Sequence, residues 1–185
     1  MPILPLEPFL HPEELFSSST VRAAEQRWWV LHTRPRAEKS LSRHCLARRI
    51  PFFLPLRRQY TRSRGRTLTS HVPLFPGYLF LLGDESERVE ALTTNLIAHC
   101  LPVPDPERLE ADLVGVHRVM LSGMPVSLVE QLPPGTPVEI ISGPLAGLSG
   151  KVVRKGKRLT FIVEVAFLQQ GARVEIDASM LAKID

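Results

Sequence analysis

The chain has 185 residues, 44% of them hydrophobic, with 23 Lys and Arg against 19 Asp and Glu, which leaves room for one or two domains and argues against wholesale disorder. Its two cysteines, Cys45 and Cys100, lie far apart without ligand spacing, so they read as reduced thiols rather than a disulfide scaffold or a metal site. The formal net charge of +4 hides a lopsided distribution: Arg34 to Arg66 holds eleven Lys or Arg and one acid, Glu38, while Asp84 to Asp112 holds eight acids and two arginines. A basic lobe beside an acidic one points to a partner with a strong field, nucleic acid first among them.

Residues 1–26 are rich in Pro, Ser and Glu and show no sustained periodicity, so they read as a disordered extension. Their apolar start lacks a basic n-region and meets Glu13 and Glu14 early, which does not fit a signal peptide; no later run reaches membrane-span length. A soluble, cytoplasmic protein without a membrane partner is expected. Trp28–His32 is an aromatic and β-branched strand. Pro35 then opens a helix whose apolar stripe is Ala37, Leu41 and Cys45, ending near Ile50-Pro51. Phe52–Leu56 reads as an edge or irregular strand because of Pro55. Arg57 to Arg66 follows as a basic hairpin tipped by Gly65.

The stretch Val72 to Leu82 contains a Phe-Pro-Gly turn and a strand apolar on both sides. Tyr78, Phe80 and Leu82 alternate with Leu79 and Leu81, so both faces need cover. In a chain this short, one cover is expected from another molecule. Acidic loop material follows, then a short turn and strand within Leu92–Leu101. A helix opens at Asp105-Pro106, buries Leu109, Leu113, Val116 and Met120, and closes at Gly123. This order predicts an α+β sandwich over residues 27–123 with helices packed on one sheet face. Residues 124–134 form a linker. From 135 to 185 only short strands punctuated by glycines remain (Val138–Ile141, Lys151–Arg154, Leu159–Val165, Ala172–Ile176), predicting a small β-barrel near the lower size limit for independent folding.

Arg27-Trp-Trp-Val, Pro73-Leu-Phe-Pro-Gly-Tyr-Leu-Phe80 and the Pro134–Val153 segment, with Val174-Glu-Ile-Asp177 closing the second part, resemble the NusG family of transcription elongation factors. The resemblance implies an NGN-type α/β sandwich followed by an SH3-like KOW barrel. It also implies a monomeric, cofactor-free transcription elongation or antitermination factor whose NGN domain binds the clamp helices of RNA polymerase. The KOW domain would recruit termination factor Rho or the ribosomal protein also called NusE.

On this reading, Val30, His32, Phe75, Tyr78 and Phe80 form an open polymerase-binding face, since the helices are expected over Trp29, Leu31, Leu79 and Leu81. The same residues completing an internal core is the competing reading. Arg57, Arg58, Arg62, Arg64 and Arg66, with Tyr60 for stacking, are the candidates for reaching DNA or RNA; a solubilising hairpin tip is the alternative.

Gly147 and Gly150 fit the KOW turn as structural residues. Phe167 and Leu168 occupy the loop where housekeeping members dock their second factor. The Gly-Arg that follows this pair in those members is replaced by Gln169-Gln170, which points to a specialised paralogue of the RfaH or LoaP kind. Thr93 and Thr94 do not align with the His-Thr-Thr element of specialised members. The second function class is an RNA-binding or ribosome-associated KOW protein. An enzyme fits poorly, because His44 and Cys45 are helix neighbours that point apart, and no metal set or phosphate-cradling loop is present.

Overall fold

The computed structural model describes residues 6–17, 24–155 and 158–184. They fall into two compact units, Met1–Pro106 and Glu107–Asp185. The first contains β1 (Leu10–His11), β2 (Arg27–Thr33), α1 (Glu38–Ala47), β3 (Phe52–Phe53), β4 (Leu56–Ser63), β5 (Arg66–Pro73), β6 (Tyr78–Gly83), α2 (Glu85–Thr93) and β7 (Ile97–Leu101). Five strands form an antiparallel sheet in the order β1-β3-β6-β2-β7, while β4 and β5 pair only with each other as a separate ribbon.

Alternation along β2 and β6 sorts the sheet into two faces. Trp29 is paired with Leu81 and Leu31 with Leu79, and these residues meet Leu41 and Cys45 of α1, Phe52 of β3, and Ala91 of α2 in one core. Helices therefore cover the face anticipated from the sequence. Each fully buried Leu or Phe there contributes about 1.5–3 kcal/mol. The first helix ends where Arg49 turns left-handed (φ 58°) and Ile50 N–H bonds back to Cys45 O, just ahead of Pro51.

The acidic stretch after Gly83 is not loop material as expected; it is α2. Asp84 accepts from Glu87 N–H, and the Glu87 side chain accepts from Asp84 N–H, which is a complete capping box. The signal was present in the sequence as Asp84-x-x-Glu87.

The N-terminal segment also departs from the expected disordered extension. Leu10 pairs with Phe53 and His11 with Phe52, Leu54 N–H donates to Phe9 O at 2.7 Å, and Leu15 is buried. Sparse periodicity hid this segment because it contributes one short edge strand and two apolar anchors rather than a long amphipathic element. Residues 1–5 and 18–23 lie outside the described residues.

The second unit contains α3 (Pro106–Leu121), β8 (Ser127–Val129), β9 (Thr136–Ile140), β10 (Ser149–Lys155), β11 (Arg158–Val165), β12 (Gln170–Ile176) and β13 (Leu181–Lys183). Its strands make one antiparallel sheet in the order β13-β9-β10-β11-β12-β8. Two features differ from the expected boundaries. The linker span 124–134 contains β8, whose Ser127–Val129 pair with β12. The helix α3 falls in this unit rather than in the N-terminal sandwich: Arg118 Nη2 donates to Ala146 O at 2.6 Å, and Ala166 N–H donates to Asp112 Oδ2 at 2.9 Å. Gly115 makes the approach close, since a Cβ there would lie 2.9 Å from Val163 Cγ1. The helix buries Leu109, Leu113, Val116 and Val119, with Val119 replacing the expected Met120.

Candidate protein and nucleic-acid interfaces

The Phe75-Pro76-Gly77 turn is held from three sides. Tyr78 N–H donates to Phe75 O at 3.2 Å across the turn, and Gly77 takes φ +84°, as the third position of a type II turn requires. Gly77 N–H donates to Glu38 Oε1 at 2.7 Å, so a buried carboxylate of α1 anchors the turn. Thr33 N–H donates to Gly77 O at 2.8 Å, tying it to β2. The left-handed φ is what requires glycine here; a Cβ would make ordinary van der Waals contact with the His32 imidazole at 3.4 Å.

Beside this turn runs an aromatic strip across three strands. His32 is paired with Tyr78 on one side and with His99 on the other. Ring centroids are 5.1 Å apart for His32 and Tyr78, and 5.9 Å for the stacked His32 and His99. His32 and Tyr78 are half-buried and His99 is exposed. Sequence reasoning missed His99, because which strand neighbours β2 is a tertiary fact.

The rest of the expected open face is closed. Val30, Phe75 and Phe80 are fully buried, so the competing core reading holds for these three. One cover is the N-terminal segment: the Phe16 ring stacks on Trp28 at 6.0 Å and meets Phe53 edge-on at 5.0 Å. Phe53 in turn contacts Phe80 at 6.4 Å, and Phe75 lies edge-on to Phe80 at 6.3 Å. An apolar face of this size is costly to leave in water, and the chain's own residues reach it.

The basic hairpin is longer than its Arg57–Arg66 core. Pairing runs from Leu56↔Pro73 to Ser63↔Arg66. The two-residue turn Arg64-Gly65 has φ 47° and 76°, both positive, as a type I′ hairpin turn demands. Every residue from Arg58 to Ser70 is exposed, and Arg57 is half-buried at the root. Its length hid in the sequence because Thr67–Ser70 carry no apolar alternation.

In the second unit, Phe167 and Leu168 lie in a 3-10 turn, Ala166–Leu168, between β11 and β12, and both are half-buried. Gly147 takes φ +80° and donates its N–H to Ile140 O at 2.7 Å. At Gly150 a Cβ would stand 2.6 Å from Ile162 O and from the Phe161 ring, so any side chain would force the strands apart.

Burial pushes the Cys45 thiol up to about 12, and burial also raises Cys100, against the opposing pull of Arg88. At pH 8 only about one Cys45 in ten thousand is then a thiolate. In the native chain, a thiol reagent at pH 8 should label Cys100 first and Cys45 only after denaturant is added. Equal rates would overturn the packing around Cys45. Among the described residues, no group of three or more His, Cys, Asp or Glu is placed to hold a metal, and no helix is long and apolar enough to cross a membrane.

The described residues thus carry a tethered aromatic strip and an exposed arginine ribbon in the first unit, and a sheet-rich second unit. Residues 26–111 match the family model described as NusG, transcription termination factor nusG. The match covers a little under half of the chain, and over those residues the chain is similar to the NusG family. A solved structure entitled "Crystal Structure of MjSpt4:Spt5 complex conformation B" is similar at 16% identity and a TM-score of 0.26, covering 85% of this chain and 97% of that one. No curated protein matches the chain.

Proposed function

We propose that the protein is a non-enzymatic elongation or antitermination factor that binds RNA polymerase through its first unit and recruits a second factor through its C-terminal sheet. The observation that carries this reading is the family match over residues 26–111. The accessible polymerase surface is the strip Tyr78–His32–His99 beside the Phe-Pro-Gly turn, a smaller patch than the five-residue face expected from sequence. Aromatic side chains next to a rigid backbone turn suit a partner helix, because they bury large area at little conformational cost. The C-terminal unit is read as a KOW-type barrel, with Phe167 and Leu168 as its docking pair for Rho or a ribosomal protein. The β4–β5 ribbon is the nucleic-acid-facing part.

The triple variant His32→Ala, Tyr78→Ala, His99→Ala should fold and lose polymerase binding by about thirtyfold or more, the loss expected when anchor residues are truncated. Retention on immobilised RNA polymerase measures it, and undiminished retention sinks the assignment of the strip. The exposed arginines favour a second reading, an RNA-binding or ribosome-associated protein. Salt separates the two: phosphate-dominated binding falls steeply as salt rises, whereas an aromatic docking strip is comparatively insensitive.

A further inference from the structure

One face of the second sheet carries a pocket of about 440 Å³ lined by Pro125, Ser127, Arg158, Thr160, Arg173 and Glu175. Its size falls within the ~300–1,000 Å³ usual for small-ligand sites. Register explains why these residues converge. Ser127 pairs with Arg173 and Thr160 with Glu175, and paired residues on neighbouring strands share a face. Arg173 and Glu175 lie two positions apart on β12, as do Arg158 and Thr160 on β11, so alternation sends all five side chains to the same side.

The pocket therefore has two unlike ends, about 6.7 Å apart along β12. At one end Arg173 is exposed and, among the described residues, makes no ion pair, with half-buried Ser127 beside it. At the other end Arg158 Nη1 donates to Glu175 Oε1 at 2.7 Å. Among the described residues the second Glu175 oxygen accepts from no other group, and half-buried Thr160 adds a hydroxyl.

We propose that this pocket binds a ribose 5-phosphate unit, as in a free mononucleotide, with the phosphate on Arg173 and Ser127 and the vicinal ribose hydroxyls on Glu175 and Thr160. A guanidinium without an acidic partner, beside a hydroxyl, suits a phosphate, whose oxygens accept from its fork of donors. A carboxylate repels a second anionic group but accepts well from a neutral diol, and carboxylates hold ribose hydroxyls in this way in dinucleotide sites on other folds. A ribose carries its diol across the ring from its 5′-phosphate, which matches a cationic end and an accepting end on one strand. An amino acid, with its two charges one carbon apart, cannot span them. Exposed Pro125 gives the base an apolar rim. The pocket is separate from the proposed docking pair, since Arg158 opens β11 and the Ala166–Leu168 turn follows its other end.

The test is calorimetric titration of the full chain with AMP, adenosine, 2′,3′-dideoxy-AMP and a twelve-nucleotide RNA without terminal phosphates. AMP should bind about tenfold or more tightly than either analogue, since each lacks one set of charge-assisted hydrogen bonds. Arg173→Gln should remove the preference for AMP over adenosine and keep the preference for the diol. Glu175→Ala should do the reverse, because it removes the acceptor and frees Arg158 for phosphate. Arg154→Gln, at a position paired with Leu159 and so on the opposite face, should leave all four affinities unchanged. The three substituted positions are exposed, and matching thermal melts will show that the variants fold.

Undetectable AMP binding, equal affinity for either analogue, or indifference to Arg173→Gln overturns the proposal. Tighter binding of the RNA than of AMP makes this face a nucleic-acid surface and overturns it as well. Polymerase retention is a separate measurement on other residues, so none of these results touches the function proposed above.

Discussion

Phe80→Ala will destabilise the first unit by about 3–5 kcal/mol, the cost of a large cavity in a packed core. Phe80 has no solvent exposure and lies among Phe53 and Phe75. Against a typical total stability of about 5–15 kcal/mol, that loss is a large fraction. An Asp at Phe80 would go further, burying a charge without a partner, so a loss of polymerase binding in that variant would report unfolding rather than a lost contact. His32→Ala and Tyr78→Ala, at half-buried positions, should each cost about 1 kcal/mol or less. Urea denaturation of the three single variants measures the contrast. Similar small losses at all three positions would show that the Phe80 face is open after all.

Removing residues 1–17 will lower the Tm by about 10 °C or more and raise binding of a hydrophobic dye. The deletion takes away the β1 pairing with Phe52 and Phe53, the buried Leu15, and the Phe16 ring that lies over Trp28 and Phe53. Loss of Leu15 alone is worth about 2–5 kcal/mol, and for a unit of this size each kcal/mol shifts the Tm by about 4–8 °C. The point variant Leu15→Ala should reproduce part of the shift with the chain otherwise complete. If deletion leaves both Tm and dye binding unchanged, the segment is a loose extension and the cover over Phe80 comes from elsewhere in the chain.

The two experiments bear on function together. The strand Tyr78–Gly83 is apolar on both sides, and the expectation was that another molecule covers one of them. In the structure both sides are covered within the chain at Phe80, and among the described residues the end of the face at Tyr78, His32 and His99, with half-buried Leu101 next along the strand, stays accessible. On the proposed reading, a partner on the first unit meets a strip and a turn rather than a broad apolar sheet.

What the sequence determined by itself was local. Alternation in Trp28–His32 and Tyr78–Leu82, the stripe of Leu41 and Cys45, and the glycines at 77, 147 and 150 each follow from covalent geometry and nearest neighbours, so they were legible in one dimension. The capping box at Asp84 was equally local, although its acidic surroundings read as loop. Tertiary structure decided the rest. It placed His99 beside His32, closed the face of Val30, Phe75 and Phe80, gave α3 to the second unit, and extended the ribbon to Pro73. These outcomes depend on which distant segment supplies the missing cover. Two anchors such as Leu15 and Phe16 bury a face by their position in space, and no periodicity in the chain announces it.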